Sequence, residues 1–383
     1  MERFEPSAPR PTAHDRRSAR ARLETLLAHA DVVIDGDRPW DPRVKDERFF
    51  DVAFAGSLAI GEAYMDGLWE CDQLDELVCR FRHASLDQRF QVGADGWRGL
   101  KARMRGRPGP PSEDAIGRIP DGAREVFEAT LDPRMVDSCG YWKTATTLAA
   151  AQEARLELVC QKLGLVPGMH VLEIGCGWGS FARYAAERYG VQVVGLTSSR
   201  EQVAYGHKRC QGLPVEIRVG DYREVTGSFD RVLSAGVLTQ VDPRNHRRYF
   251  EAIHGVLRKD GLFLLDTAGG NRSRSSVDPW TDKYIVAGAV MPSAGQISSA
   301  VEKLFVMEDW HHLGPDHDRT LVAWFQNFDR SWPTLRERYG ARFYRMWKFF
   351  LLASAGNLRA RANHLWQFVF SKHGLVGGYA AVR

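Results

Sequence analysis

The stretch from Val171 to Gly179 constrains the fold of this chain more than any other. An apolar run ending at Ile174 leads into glycines at alternate positions, 175, 177 and 179, and a helical pattern follows. Glycine readily adopts positive φ and lets a ligand approach the backbone, and the first N–H groups of a helix are free to face that ligand. The stretch predicts a strand, a tight turn and a helix that form a ligand cradle, although such a turn can also serve packing alone.

Strands and helices alternate around this turn. Apolar segments predict strands at His170–Ile174, Gln192–Leu196, Val215–Val219, Arg231–Ala235 and Leu262–Thr267. Helical patterns predict helices at Thr144–Leu163, Phe181–Tyr189, Ser199–Cys210 and Asn245–Leu257. The third of these helices should begin with a capping box formed by Ser198 and Glu201. This order is typical of an α/β protein with a doubly wound parallel sheet, which binds ligands at the carboxyl ends of its strands.

The regions on either side of the sheet differ from it in composition. Residues 1–18 read as a disordered basic tail, residues 19–100 as a small helical lobe and residues 101–113, rich in Gly, Pro and charge, as a linker. The sheet domain then occupies residues 114–383. Aromatic residues are dense after Gly269, where they either fill the core or wall an apolar cavity.

Composition limits the class of protein. The chain has 383 residues and a net charge of +4, and its six cysteines lack C-x-x-C spacing or histidines at metal-ligand spacing. We therefore expect reduced thiols, no metal and a cytoplasmic location. No apolar run approaches the roughly 20 residues of a membrane-spanning helix. The basic N-terminal residues and the stretch at 101–107 either meet anionic lipid or nucleic acid, or are solvated.

The residues after the next two strands favour one ligand over another. A dinucleotide-binding sheet usually has a carboxylate at the end of its second strand, where this chain has Thr197. After the third strand, Asp221 and Tyr222 offer an acid and an aromatic face to an adenine. Glu173 before the turn suits a ligand with a cationic end and no pyrophosphate. The combination favours S-adenosylmethionine over NAD.

With these residues in place, the chain resembles the cyclopropane-fatty-acyl-phospholipid synthases, a branch of the class I S-adenosylmethionine-dependent methyltransferases. The resemblance covers residues 32–382. It rests on the strings Gly56–Cys71, Ser138–Lys143, Val171–Gly179, Val194–Ser198 with Gln202, Val277–Trp280, Phe305–His311 and Arg359–Gln367. It implies a Rossmann-like sheet, a lipid-engaging N-terminal lobe and unsaturated phospholipid acyl chains as substrate. It places the cofactor at Ser138, the glycine loop, Thr197, Ser198, Gln202, Tyr222 and Arg223.

The resemblance also implies a chemistry that this chain alters. The family's alkene attacks a sulfonium methyl, aromatic faces stabilise the resulting carbocation, and a bound bicarbonate removes a proton. Of the family's bicarbonate anchors only Cys139 is kept, and its alternative role is that of a small buried thiol. The other positions read Thr239, Asp266, Ala268 and His317, and the cofactor lid is altered at Pro120–Arg124.

These changes suggest a hypothesis for the catalytic residues. Asp266 would repel bicarbonate and replace it as a fixed base, paired with His317, with Cys139 and Thr239 beside them. The alternative is a structural ion pair in a degenerate site.

Three functions follow from the sequence. The first is a peripheral enzyme at the inner membrane face that methylates or cyclopropanates unsaturated acyl chains, has no nucleic-acid partner and forms a homodimer. The second keeps S-adenosylmethionine but uses another apolar small molecule. The third is a non-catalytic lipid or cofactor binder.

Overall fold

The computed structural model describes residues 12–87, 123–274 and 278–383 of the chain. The predicted linker at 101–113 lies outside these residues, as do the first 11 residues and most of the altered lid at 120–124. No helix in the described part of the chain is long and apolar enough to cross a membrane.

The N-terminal lobe is helical, as predicted. Its helices and short strands are α1 (Ala13–Ala28), β1 (Arg43–Val44), α2 (Phe49–Val52), α3 (Ser57–Met65), β2 (Trp69–Glu70) and α4 (Leu74–His83). Thr12 and Asp15 form a capping box at the start of α1. Helix α1 therefore includes residues 13–18, contrary to the prediction that a disordered tail extends to residue 18. The lobe has its own apolar core, which includes Tyr64 and Trp69.

Helices α5 (Arg124–Thr130) and α6 (Leu148–Lys162) lead from the lobe to the central sheet. The predicted start of α6 at Thr144 is four residues too early, because the side chain of Thr147 accepts a hydrogen bond from the N–H of Ala150 and caps the helix there.

The sheet has seven strands. They are β3 (His170–Ile174), β4 (Gln192–Thr197), β5 (Val215–Val219), β6 (Phe229–Ala235), β7 (Leu257–Gly270), β8 (Val306–His312) and β9 (Asn363–Ser371). The strand order is β5-β4-β3-β6-β7-β9-β8. The five predicted strands are parallel, whereas β9 runs antiparallel to β7 and β8. The predicted α/β sheet is therefore confirmed, with two further strands on one side.

Helices cover both faces of the sheet. The helices that follow α6 are α7 (Ser180–Tyr189), α8 (Arg200–Arg209), α9 (His246–Val256), α10 (Pro279–Tyr284), α11 (Ala294–Val301) and α12 (Gly314–Arg359), of which α10 packs against α3 of the lobe. One core joins the sheet to α9 and α11, and a second joins it to α6 and α7. Burial of apolar side chains on both faces explains why the strands read as nearly continuous apolar runs.

Helix α12 connects the lobe to the sheet domain. It is interrupted at Gly340, whose φ of 73° is not helical. Its aromatic side chains, among them Trp324, Phe328 and Trp347, pack with α5 and with Trp178 of the glycine loop. Most of the aromatic residues predicted after Gly269 thus lie in packed cores, while Trp310 on the edge strand is 47% exposed.

Candidate cofactor and catalytic site

The glycine loop has the backbone that its sequence predicts. Gly175, Gly177 and Gly179 have φ values of +81°, +50° and +80°, in the region that favours glycine. A Cβ at Gly175 would lie 2.5 Å from Val237 Cγ2, whereas a Cβ at Gly177 would meet nothing within 4 Å. The loop is therefore tightly packed at its start and open at Gly177, where a ligand can approach the backbone.

Helix α7 begins directly after this loop. Gly179 is its N-cap and provides no side-chain hydrogen bond. The first-turn N–H groups carry the partial positive charge of the helix dipole. Beneath them, Glu173 is 4% exposed and accepts a hydrogen bond from the N–H of Ala182, and its Oε2 has no partner. Burial raises the pKa of Glu173 to about 8. This carboxyl group supports the helix from below, and its contact with a cofactor stays a prediction.

The loop after β4 differs from its prediction by one residue. Ser199, not Ser198, caps α8, and its side chain accepts from the N–H of Gln202 at 3.3 Å. The predicted capping box of Ser198 and Glu201 is therefore wrong. The hydroxyl of Thr197 donates to Gln202 Oε1 and accepts from the N–H of Ser199. Thr197 thus links the end of β4 to the first turn of α8.

The loop after β5 carries the predicted adenine-binding residues. Asp221 accepts hydrogen bonds from the N–H and the guanidinium of Arg223, which lowers the pKa of this carboxyl group. Tyr222 is half-buried, and its ring meets that of Tyr249 edge to face at 5.0 Å. The aromatic face is held in place, while the carboxylate is shared with an exposed arginine.

These residues fit S-adenosylmethionine. The open backbone at Gly177, the uncapped start of α7, Thr197 and Tyr222 follow β3, β4 and β5, three neighbouring parallel strands. Carboxyl ends of parallel strands meet at one edge, which is the ligand-binding edge of such sheets.

Ser138 and Cys139 lie against α6 and the residue that precedes α12. Ser138 is fixed twice: Gln152 donates to its carbonyl at 2.8 Å, and Arg155 donates to its hydroxyl at 3.1 Å. Cys139 is fully buried, with Sγ 2.9 Å from Gly140 O. Burial raises the pKa of this thiol well above its usual range, so it stays protonated.

Asp266 is held by partners that the sequence did not reveal. Its Oδ2 accepts from Arg155 at 2.8 Å and from Gln367 Nε2 at 3.0 Å. Arg155 and Asp266 are 3% and 2% exposed. In the part of the chain that the structure describes, no hydrogen bond joins Asp266 to His317. The predicted Asp266–His317 pair is therefore replaced by an Asp266–Arg155 ion pair.

His317 lies close to that ion pair on the first turn of α12. Its Nδ1 is buried and has no hydrogen-bond partner. Burial lowers the pKa of His317 to about 4, and the charges of Asp266 and Arg155 act on it in opposite directions. The residue as a whole is half-buried, whereas its Nδ1 has no exposed surface. At neutral pH it is an uncharged imidazole.

Thr239 lies in the short turn at Leu238–Gln240 that follows β6. Its hydroxyl donates to Gly236 O at 3.1 Å, and the N–H of Gly236 donates to Asp266 O at 3.0 Å. Ala268 packs in the small cluster of Cys139 and Leu313. The structure thus brings Cys139, Asp266 and His317 together, whereas Thr239 is linked to Asp266 through the backbone of Gly236.

Bicarbonate does not fit this arrangement. The cation nearest to the site, Arg155, is already paired with Asp266, while Cys139 and His317 are uncharged at neutral pH. An added anion would face a buried carboxylate without a free positive charge to balance it.

Several residues of this region were missed from the sequence. Three buried polar residues were missed because they occur within ordinary helix or strand patterns: Arg155, Gln367 and Lys162. Only the structure shows that they are buried. Asp137 precedes Ser138, and desolvation by the surrounding protein raises the pKa of its carboxyl group to about 6. Its position beside Ser138 was the only signal in the sequence.

Comparison with known proteins agrees with this geometry. Residues 111–368 match the mycolic acid cyclopropane synthetase family. The chain is 43% identical to the cyclopropane-fatty-acyl-phospholipid synthase of Escherichia coli K12 over 361 residues, 94% of each chain. It is 28% identical to sphingolipid C9-methyltransferase A of Emericella nidulans, covering 86% of this chain and 66% of that one.

Solved structures give the same result. The cyclopropane synthase MmaA2 of Mycobacterium tuberculosis is 26% identical, with a TM-score of 0.63, and the match covers 70% of this chain and 100% of that one. The mycolic acid cyclopropane synthase CmaA1, solved with SAH and CTAB, is 25% identical with a TM-score of 0.64 and 69% and 99% coverage. The chain belongs to this cyclopropane synthase family and is an S-adenosylmethionine-dependent enzyme with the class I methyltransferase fold.

Proposed function

We propose that the enzyme transfers a one-carbon group to the cis double bond of an unsaturated phospholipid acyl chain. The observation that carries this proposal is the 43% identity to a cyclopropane-fatty-acyl-phospholipid synthase over 94% of both chains, lobe and sheet domain together. The product is either a cyclopropane or a methylated chain without ring closure.

The cofactor, when bound, supplies a methyl group on a cationic sulfur. Ser138, Gly175, Gly177, Gly179, Thr197, Ser198, Gln202, Asp221, Tyr222 and Arg223 would hold it, with Glu173 below the loop. The aromatic cluster around Trp178 and Trp324 is the proposed wall of the acyl-chain pocket. Trp178 lies between Phe127 and Tyr205, with ring centroids at 5.6 Å and 5.2 Å. Aromatic faces of this kind stabilise a carbocation without reacting with it.

The proposed catalytic residues are Cys139, Thr239, Asp266 and His317. Asp266 supplies a resident carboxylate and His317 an uncharged imidazole, so the site needs no dissolved anion. The buried thiol of Cys139 and the hydroxyl of Thr239 border this pair and limit the access of water.

The test is incubation of the purified protein with methyl-labelled S-adenosylmethionine and vesicles of unsaturated phospholipid. Labelled ring or branched acyl chains are the expected products. A saturated phospholipid of the same headgroup is the matched control and should remain unlabelled. Transfer of label to small molecules alone would contradict the proposal and support a methyltransferase acting on another apolar compound.

We further propose that residues 19–100 form the lipid-engaging lobe, linked through 101–113 to the methyltransferase domain at 114–383, and that the enzyme works at the inner membrane face. Val33, on the lobe, is 54% exposed. Val33→Glu should weaken vesicle flotation severalfold, whereas Val376→Glu, also exposed but outside the lobe, should not. Equal flotation of both variants would contradict the lobe's role. Light scattering tests the proposed homodimer.

A further inference from the structure

A shallow cleft opens on the surface beside the residues that follow β6 and β7. Its volume is about 370 Å³, and its walls come from three segments: residues 243–247 at the start of α9, Ser273 after β7, and one side of α11. Strand β6 runs parallel to β3 and β7, so the segments after β6 and β7 lie at the same edge of the sheet as the cofactor loops. None of the described residues that line the cleft belongs to the proposed cofactor or catalytic site.

The lining of the cleft is polar and basic. Arg244 and Arg247 provide two guanidinium groups, while Ser273, Gln296 and Ser299 provide hydroxyl and amide groups. No acidic residue occurs among the lining residues that the structure describes. An anion in the cleft would therefore meet positive charge and hydrogen-bond donors without meeting a carboxylate in its wall.

Three further arginines adjoin the lining residues in the sequence. Arg248 follows Arg247, while Arg272 and Arg274 stand on either side of Ser273. The stretch 242–251 has three arginines and two acidic residues, and 271–274 has two arginines and no acid. The segments around the cleft thus carry an excess of positive charge, which raises the local concentration of anions.

Both lining arginines keep donors for a ligand. Arg244 pairs with Asp242 through Nε and Nη2, and Arg247 pairs with Glu251 through Nε. Nη1 of Arg247 donates to two carbonyl oxygens at the end of α11, which fixes this guanidinium between the two helices. In the described part of the chain, Nη1 of Arg244 and Nη2 of Arg247 make no hydrogen bond. Ion pairs between exposed groups contribute little, so the paired carboxylates leave both arginines able to bind an anion.

The lining suits a phosphate group. Guanidinium groups bind phosphate oxygens through paired N–H donors, and serine hydroxyls add further hydrogen bonds. A nucleotide is not favoured, because the lining residues that the structure describes include no Phe, Tyr or Trp on which a base could stack. The polar wall suits a phosphate that carries a small polar group such as glycerol.

We propose that this cleft binds a phosphate oxyanion, and that the phosphate it holds during turnover is the headgroup phosphate of the phospholipid substrate. The short turns at Leu238–Gln240 and Pro243–Asn245 are two residues apart, so the cleft begins close in the chain to Thr239 of the proposed catalytic group. This inference rests on the proposed function and names the part of the lipid that the enzyme recognises outside the reacting acyl chain.

The first measurement is binding, which needs no turnover. The probes are inorganic phosphate and glycerophosphoglycerol, a headgroup without acyl chains, titrated by calorimetry at low salt. Ser299→Asp adds a carboxylate to the wall of the cleft and should weaken the binding of both probes about three- to tenfold, because like charges repel. Ser298→Asp is the matched control, since Ser298 is exposed on the same helix but does not line the cleft. No binding by the unaltered protein, or equal losses in the two variants, would overturn the site.

A second pair of variants tests the arginines. Arg244→Gln removes an exposed guanidinium and should weaken the binding of both probes about three- to tenfold. Arg183→Gln is its control: Arg183 likewise pairs with a nearby carboxylate, that of Glu187, but lies on α7 outside the cleft. Unchanged affinity in Arg244→Gln would overturn the role of this arginine.

The third measurement distinguishes a lipid headgroup from free phosphate as the natural ligand. The substrates are an unsaturated phosphatidylglycerol and the diacylglycerol with the same acyl chains, which lacks the phosphate. The unaltered enzyme should have the lower KM for the phospholipid. Ser299→Asp and Arg244→Gln should reduce this advantage about three- to tenfold with kcat unchanged, whereas Ser298→Asp should keep it.

Two outcomes separate the parts of the inference. If the variants lose phosphate affinity and yet keep the advantage of the phospholipid, the assignment to the lipid headgroup is overturned and the cleft binds free phosphate. Absence of turnover with every lipid would overturn the proposed function and with it the lipid assignment. Binding of the probes that is weakened by Ser299→Asp alone of the two serine variants would still support the anion site.

Discussion

At the scale of single residues, burial changes what each titratable group can do. Glu173, His317 and Lys162 all have pKa values displaced toward the uncharged form, to about 8, 4 and 8, chiefly by burial. Arg155 and Asp266, by contrast, satisfy each other as an ion pair. The sequence could place Asp266 at the site, but its partner is 111 residues earlier on α6, and no local pattern connects the two.

We expect Glu173→Gln to stabilise the protein at neutral and alkaline pH. The folded pKa of about 8 exceeds the model-peptide value of 4.5, so the folded state holds a proton that the unfolded state loses. Stability should therefore fall as pH rises from about 4.5 to 8, and Gln should remove this slope, adding about 1 to 3 kcal/mol at pH 7. Denaturant unfolding at several pH values measures the free energy of unfolding of both proteins and hence its dependence on pH.

The control is Glu157→Gln. Tyr184 and Tyr189 donate to this carboxylate, and its pKa is lowered. This substitution should lower the free energy of unfolding by about 0.5 to 1.5 kcal/mol, whereas Glu173→Gln should raise it. If both variants are destabilised alike, the protonated state assigned to Glu173 is incorrect.

His317 also predicts the acid limb of the pH–rate profile. In the proposed function the neutral imidazole of His317 is the form that takes up a proton, and its pKa lies near 4 because burial, the largest effect, and the charge of Arg155 outweigh Asp266. Ring formation should stay nearly constant between pH 7 and 5 and fall only toward pH 4. A limb with a midpoint near 6.5, the usual histidine value, would contradict the assignment.

At the scale of elements, local patterns predicted most of the sheet. The bounds of β3 and β5 match the sequence prediction, because apolar residues end at turn signals on both sides. Strand β7 extends beyond the predicted Leu262–Thr267 at both ends because of tertiary pairing: Gly270 pairs with Asn363 of β9, and Leu257 pairs with Phe229 of β6. The cap of α8 is Ser199 and not the predicted Ser198, because the hydroxyl of Ser199 accepts from the N–H of Gln202; two adjacent serines cannot be distinguished by sequence pattern alone.

The glycine loop gives a prediction about crowding. Gly175→Ala would place a Cβ 2.5 Å from Val237 and 2.9 Å from Ala235 O, so the loop must move. We expect S-adenosylhomocysteine affinity, measured by calorimetry, to fall about tenfold or more, because backbone approach to the ligand is lost. Gly168→Ala is the control: its φ of +84° imposes similar strain, but no atom lies within 4 Å. Equal losses of affinity would exclude crowding as the cause.

At the scale of the whole molecule, the lobe and the sheet domain are joined by a close helix contact. Gly356 of α12 meets the backbone of α4, where a Cβ would lie 2.3 Å from Asp75 O. Arg359, three residues later, bonds both Asp75 and Asp318. The contacting residues of α4 and α12 are nearly 300 residues apart in the sequence. No local sequence pattern predicts such a contact, although the helical lobe itself was predicted.

Gly356→Val should therefore separate the lobe from α12. We expect a loss of about 1 to 3 kcal/mol in unfolding free energy from overpacking, and faster proteolysis within the lobe. Gly255→Ala, at a helical site in α9 with nothing within 4 Å, should be neutral or slightly stabilising. Wild-type proteolysis rates in Gly356→Val would show that the contact does not hold the lobe.

The Arg155–Asp266 ion pair also bears on how such a site can diverge. Loss of either partner leaves one buried charge unpaired, which typically costs about 3 to 5 kcal/mol. During evolution, this site can therefore lose or gain its ion pair only if residues 155 and 266 are substituted nearly at the same time. The two positions should covary across related chains, so the identity of residue 155, far from position 266 in the sequence, would report which of the two sites a relative has inherited.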